Sequence, residues 1–161
     1  MASAEPAHAQ KTSLIRDAEI ENTIRQFAAP VFKAAGVDPS AVRIHLVQDN
    51  TLNAFVAGGQ RLFINTGLLM KTEHAGQIIG VIAHETGHIA GGHLLRLQEK
   101  LRNSTAQTIL TYVLGGVAAV ALGNPGAAAA VIAGGATIQQ RTLLSYTRTM
   151  EQAADQAAID F

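Results

Sequence analysis

Residues 78–92, Ile78-Ile79-Gly80-Val81-Ile82-Ala83-His84-Glu85-Thr86-Gly87-His88-Ile89-Ala90-Gly91-Gly92, set two histidines and a glutamate inside an otherwise apolar run. On a helix, His84 and His88 lie one turn apart and roughly 40° apart around the axis, so both imidazoles reach one metal ion. Glu85 is adjacent but offset, which suits a general base rather than a ligand. Zinc accepts imidazole together with carboxylate and keeps a fourth position open at catalytic sites. The pattern H-E-x-x-H also arises by chance on solvated helix faces. Here its flanks are apolar, where polar side chains are costly unless satisfied. A metal ion satisfies them.

The helix carrying this motif is expected from Glu73 to about Arg102. Ile78, Ile79, Ile82, Ile89, Leu94 and Leu97 supply its apolar positions and Thr72 its N-cap. Upstream, Val42, Ile44 and Leu46 alternate with Arg43 and His45, which predicts a half-buried strand over residues 42–47. Asn53-Ala54-Phe55-Val56-Ala57 and residues 61–65 read as two further strands joined at Gly58-Gly59, a hairpin. A short helix starts at Thr66. Further back, Ile20, Ile24, Phe27, Val31 and Phe32 recur at helical spacing between residues 17 and 35, with Pro30 a kink or a break. Residues 1–13 read as a disordered tail. The fold class is therefore α+β and mostly helical, with a small antiparallel sheet or hairpin and a long site-bearing helix.

Downstream, residues 109–123 are almost wholly apolar, Asn124-Pro125-Gly126 makes a turn, and residues 127–138 are apolar again. An apolar helical hairpin is expected over 104–138. Each half is shorter than the roughly 20 residues that span a bilayer. The pairs Gly115-Gly116 and Gly134-Gly135 permit close helix approach. Burial against the domain and contact with a membrane surface both remain open. Residues 139–161 return to an amphipathic helix.

That last helix offers a third ligand. Glu151 and Asp155 are four apart and share a face, so Glu151 could complete a His-His-Glu site while Asp155 hydrogen-bonds a ligand imidazole. Ala153 and Ala154 would let this helix come close to the first. An exposed acidic face explains the same spacing. His93 is the other candidate, but it falls one residue short of the metzincin spacing, where position 94 is Leu. On a continuing helix it would lie roughly 180° from His84. A structural or supporting role is expected of it.

Composition narrows the field. The chain has 161 residues and no cysteine, which suits one domain over 14–161 and excludes thiolate zinc sites and disulfide scaffolds. Lys plus Arg equals Asp plus Glu at 12 each, and no basic stripe is visible, so nucleic acid is not an expected partner.

Four stretches, in this order and spacing, resemble a known family: residues 53–59 (NAFVAGG), residues 65–69 (NTGLL), the His84–His88 motif, and Arg148-x-x-Glu151-x-x-Ala154-Asp155. The chain resembles the HtpX-like and BepA-like zinc peptidases, gluzincins grouped with the CAAX prenyl endopeptidases as metallopeptidase family M-forty-eight. The resemblance implies a zincin-type core and one zinc ion held by His84, His88 and Glu151, with Glu85 as catalyst. It implies that Asp155 supports the site, that Arg148 pairs locally, and that Asn53, Ala54, Phe55, Val56 and Ala57 form the edge strand along which substrate lies. The implied activity is endopeptidase cleavage of envelope or misfolded proteins, with a membrane surface or the outer-membrane assembly machinery as partners. The rival is a chaperone-like assembly factor with latent proteolysis. Ala7-His8-Ala9 before Gln10 resembles a signal-peptidase site, although no apolar stretch precedes it. The expectation is a periplasmic, exported protein whose signal has been trimmed, truncated soon after the third ligand.

Overall fold

Alternation of apolar and polar residues puts β2 (Arg43–Gln48) inside a sheet, with Ile44, Leu46 and Val47 buried. The computed structural model describes residues 13–58, 60–104, 107–108 and 125–161. β2 pairs antiparallel with β1 (Ser13–Ile15) and parallel with β4 (Arg61–Asn65). β4 in turn pairs antiparallel with β3 (Ala54–Ala57), giving the order β1-β2-β4-β3. The expected hairpin forms. The sheet as a whole is mixed rather than antiparallel, because the chain leaves β2, passes beyond β4 and returns through the outer strand β3. β1 was not expected; three residues are too few for a periodicity to register.

Leu62 and Ile64 of β4 join Ile44 and Leu46 on one face of the sheet, and the helices pack there. α1 (Ala18–Ala34) buries Ile24, Ala28, Val31 and Phe32, one helical stripe. Asp17 caps it, accepting from the N–H groups of Glu19 and Ile20 at 3.1 and 3.0 Å. Pro30 lies on its exposed side and does not divide it. α2 (Thr66–Lys71) starts where β4 ends. A Cβ on Gly67 would fall 2.2 Å from the carbonyl of Asn50, so only glycine lets the loop before β3 lie this close. The Gly67 N–H and the Thr66 hydroxyl both donate to the carbonyl of Asp49.

α3 (Ala75–Ala90) follows. Thr72 does not cap it; its hydroxyl bonds the Leu68 carbonyl at 2.6 Å and closes α2 instead. Nor does α3 run on to residue 102. Gly91 and Gly92 form a turn, Gly92 at φ +60°, a conformation free of strain for glycine, and α4 (residues 93–104) starts beyond it. α5 (Pro125–Asp160) is one continuous helix, with no boundary near residue 138, since its alanine-rich sequence outweighs the Gly134-Gly135 pair. The first half of the expected hairpin, residues 109–124, lies outside the described residues. Among those described, no helix is long and apolar enough to cross a membrane.

Candidate metal centre

α3 and α5 pack closely because both present small residues. A Cβ on Gly87 would meet the Cα and carbonyl oxygen of Ala154 at 3.0 Å, and Ala154 is fully buried. This approach carries the carboxylates of α5 to the histidines of α3. His84 Nε2 and His88 Nε2 stand 3.2 Å apart. Glu151 sets one oxygen 3.5 Å from His84 Nε2 and the other 3.6 Å from His88 Nε2. Donor atoms at the corners of a tetrahedron with bonds of about 2.0–2.2 Å are separated by roughly 3.3–3.6 Å. The His84, His88 and Glu151 donors fit one metal ion, each residue offering one atom within 4.8 Å of the others.

The remaining nitrogens are also engaged. His84 Nδ1 lies 2.9 Å from Asp155 Oδ1, as the four-residue spacing on α5 requires. His88 Nδ1 lies 3.0 Å from His93 Nδ1. His93 is outside the His-His-Glu group, as its sequence position leads one to expect. Its place beside His88 was not legible, because it follows from the turn at Gly91-Gly92. Burial holds the pKa of both His88 and His93 below the ordinary imidazole value; Glu151 opposes this in both, and the neighbouring imidazoles add to it. Both rings are thereby kept neutral near pH 7.

Glu85 is buried. Burial pushes its pKa up to about 7; His84 and a backbone hydrogen bond from Val56 pull the other way, and Glu151 adds to the rise. The Val56 bond reflects the strand register. Asn65 N–H donates to the Asn53 carbonyl, and Ala54 pairs with Ile64. In an antiparallel ladder this directs the peptide groups of Asn53, Phe55 and Ala57 toward β4, and those of Ala54 and Val56 outward. β3 is the edge strand, as expected, and its outward groups face a cleft of about 440 Å³ that also holds His84, Glu85, His88 and Glu151. The Phe55 ring stacks on Phe63, centroids 5.0 Å apart. Arg148 is exposed and makes no ion pair among the described residues, so the local pairing expected of it is not seen. A guanidinium free in solvent gains little from one fixed partner.

The sequence pattern of Peptidase family M48 matches residues 15–161. The Beta-barrel assembly-enhancing protease of Escherichia coli K12 is 26% identical over 148 residues, which cover 91% of this chain and 30% of that protein. The protein of the same name in Yersinia pestis is 29% identical over 115 residues, 71% of this chain and 23% of that one. The Mitochondrial metalloendopeptidase OMA1 of Schizosaccharomyces pombe is 26% identical over 125 residues, 78% and 34% respectively. The chain thus spans about a third or less of the length of these relatives. None of these names favours the chaperone-like alternative. The M48 metallopeptidases depend on a metal ion, and the chain has a His-His-Glu group able to bind one.

Proposed function

The chain belongs to peptidase family M48, and on that premise we propose that it is a zinc-dependent metalloendopeptidase in which His84, His88 and Glu151 bind the ion and Glu85 is the general base. The observation that carries the proposal is the convergence of three donor atoms, from two helices, beside a buried carboxylate. Two imidazoles with one carboxylate, at separations of 3.2–3.6 Å, match zinc in its catalytic form.

Bound zinc would supply Lewis acidity toward the scissile carbonyl and make a nucleophile of water near neutral pH. Glu85 takes the proton released as water attacks, then gives it to the departing amine nitrogen. A carboxyl pushed up to about 7 is matched to both transfers. Asp155 accepts from His84 Nδ1, which directs the lone pair of Nε2 into the site. An extended substrate segment adds to the β3 edge through the peptide groups of Ala54 and the carbonyl of Val56. Backbone pairing of this kind gives affinity with tolerance of many side chains. Protein or peptide substrates follow from that mode of binding.

The same proposal places the protein in the bacterial periplasm, acting on envelope proteins close to the outer-membrane assembly machinery. It is supported by the names of the bacterial relatives, which speak of β-barrel assembly.

The test is cleavage of casein by the zinc-loaded chain. Activity should vanish with 1,10-phenanthroline and return with added zinc. Glu85→Gln should keep stoichiometric zinc yet lose activity by roughly 10²–10⁴-fold. Cleavage by this variant at the wild-type rate would remove Glu85 from its role.

A further inference from the structure

We propose that His93 is a positioning residue that accepts the Nδ1 proton of His88 and so supports His88 Nε2 as the metal-binding nitrogen. The proposal rests on the assignment of His84, His88 and Glu151 as the zinc ligands.

A neutral imidazole has a proton on one nitrogen and a lone pair on the other. His88 and His93 meet through their Nδ1 atoms at 3.0 Å, with the rings nearly perpendicular at 79°. Two lone pairs cannot face each other at such distances with nothing between them: a bound ion would separate the Nε2 atoms of His84 and His88, whereas only a proton can lie between the two Nδ1 atoms. His88 Nε2 points to the three-donor cluster, 3.2 Å from His84 Nε2 and 3.6 Å from Glu151. The shared proton therefore belongs to His88 Nδ1, and His93 Nδ1 accepts it. The opposite assignment would put the other proton of His88 on Nε2, inside the cluster, and leave no lone pair for a metal ion. By accepting at Nδ1, His93 favours the metal-binding form of His88 over the one in which His88 Nε2 donates to His84 Nε2.

The backbone is arranged to bring His93 there. On an unbroken helix, a residue five beyond His88 would lie roughly 140° away around the axis. The turn at Gly91 and Gly92, with Gly92 at φ +60°, cancels that rotation and returns the chain over His88. Gly91 leaves room for the ring: a Cβ there would fall 2.3 Å from His93 Nε2 and 2.7 Å from its Cδ2. His93 is 6% exposed, so water competes little for its Nδ1. Each ligand histidine thus has one partner for its outer nitrogen, and only that of His84 is a carboxylate.

Zinc affinity by chelator competition, together with NMR of the His88 Nδ1–H proton in the zinc-loaded chain, tests the proposal. His93→Phe keeps a ring but removes the acceptor. It should weaken zinc binding by roughly 10–100-fold and shift the His88 Nδ1–H signal away from its hydrogen-bonded position. His93→Asn, whose amide oxygen lies near the place of Nδ1, should restore most of both. Gly91→Ala displaces the ring without altering it and should resemble His93→Phe, which covers the case in which the Phe variant misfolds. The proposal is overturned if His93→Phe binds zinc as tightly as wild type, if the His88 Nδ1–H signal is unmoved in that variant, or if His93→Asn is as weak as His93→Phe. His88→Ala separates the two levels. Zinc binding unchanged in His88→Ala removes the ligand assignment itself, whereas loss there with none in His93→Phe removes only the positioning role.

Discussion

His84 and His88 occupy successive turns of one helix, yet different parts of the molecule hold them. His84 leans on Asp155, a carboxylate from α5 whose side chain is 70% exposed. His88 leans on His93, a buried neutral ring delivered by a turn at the end of α3 itself. The α5 side of the site depends on how two helices pack and lies open to solvent; the α4 side depends on two glycines and is more deeply buried. Geometry on the first side can be lost by separating α3 from α5. On the second it can be lost only by changing the local backbone or the ring.

The largest effect should come from wedging the helices apart. Gly87→Leu puts a side chain where a single Cβ already meets the Ala154 backbone at 3.0 Å, and backbone cannot swing aside as a flexible side chain can. Overpacking of this kind costs about 1–3 kcal/mol, and its cheapest relief is to move α5 outward with Glu151 and Asp155. The chain should stay folded by circular dichroism and bind no measurable zinc by plasma emission. Wild-type zinc content in a folded Gly87→Leu protein would mean that α5 does not supply the third ligand.

Asp155→Ala should do less, since it removes support for one ligand and leaves all three in place. Losses from such partners run to roughly 10–100-fold in metal affinity. Solvent at this exposed carboxylate can replace part of the bond, so the loss should fall toward the low end and below that of His93→Phe, measured by the same competition. A larger loss for Asp155→Ala would reverse the ranking of the two sides.

The two sides also differed in how well the sequence announced them. The four-residue spacing of His84 and His88, and of Glu151 and Asp155, is a property of each helix alone and could be read directly. Their meeting could be read only as two small-residue surfaces, and Gly87 was not recognised as one of them. The strands appeared in the alternation around Ile44 and Leu46, but alternation names no pairing partner, so the parallel β2–β4 pair was missed. The Gly91-Gly92 turn was hidden because Leu94 and Leu97 continue the apolar helical spacing beyond it. Without the turn, His93 could not be placed. The bond from Val56 to Glu85 is made by backbone and left no trace in residue identity.

The smallest effect concerns Glu85, the buried acid, against Glu151, which is half exposed. In the metal-free protein the Glu85 carboxyl titrates at about 7, against about 4.3 in an unfolded chain. Between those values the native state holds a proton that the unfolded state has released. Its contribution to stability is therefore fully present below pH 4, falls as pH rises through the window, and stays low above it. His88 and His93 act in the opposite sense. Burial lowers their pKa, so their contribution is lost as pH falls from the unfolded imidazole value toward the folded ones. The pH profile of the wild type is thus a sum of opposing parts, and the difference from Glu85→Gln isolates one of them. Urea midpoints in EDTA at pH 5 and pH 8 should show the variant gaining on the wild type by on the order of 1–2 kcal/mol at the higher pH, less than the full shift implies because water reaches part of the cleft. Equal pH dependence in the two proteins would mean that Glu85 is as well solvated as Glu151, and the proton-transfer role would lose the burial that tunes it.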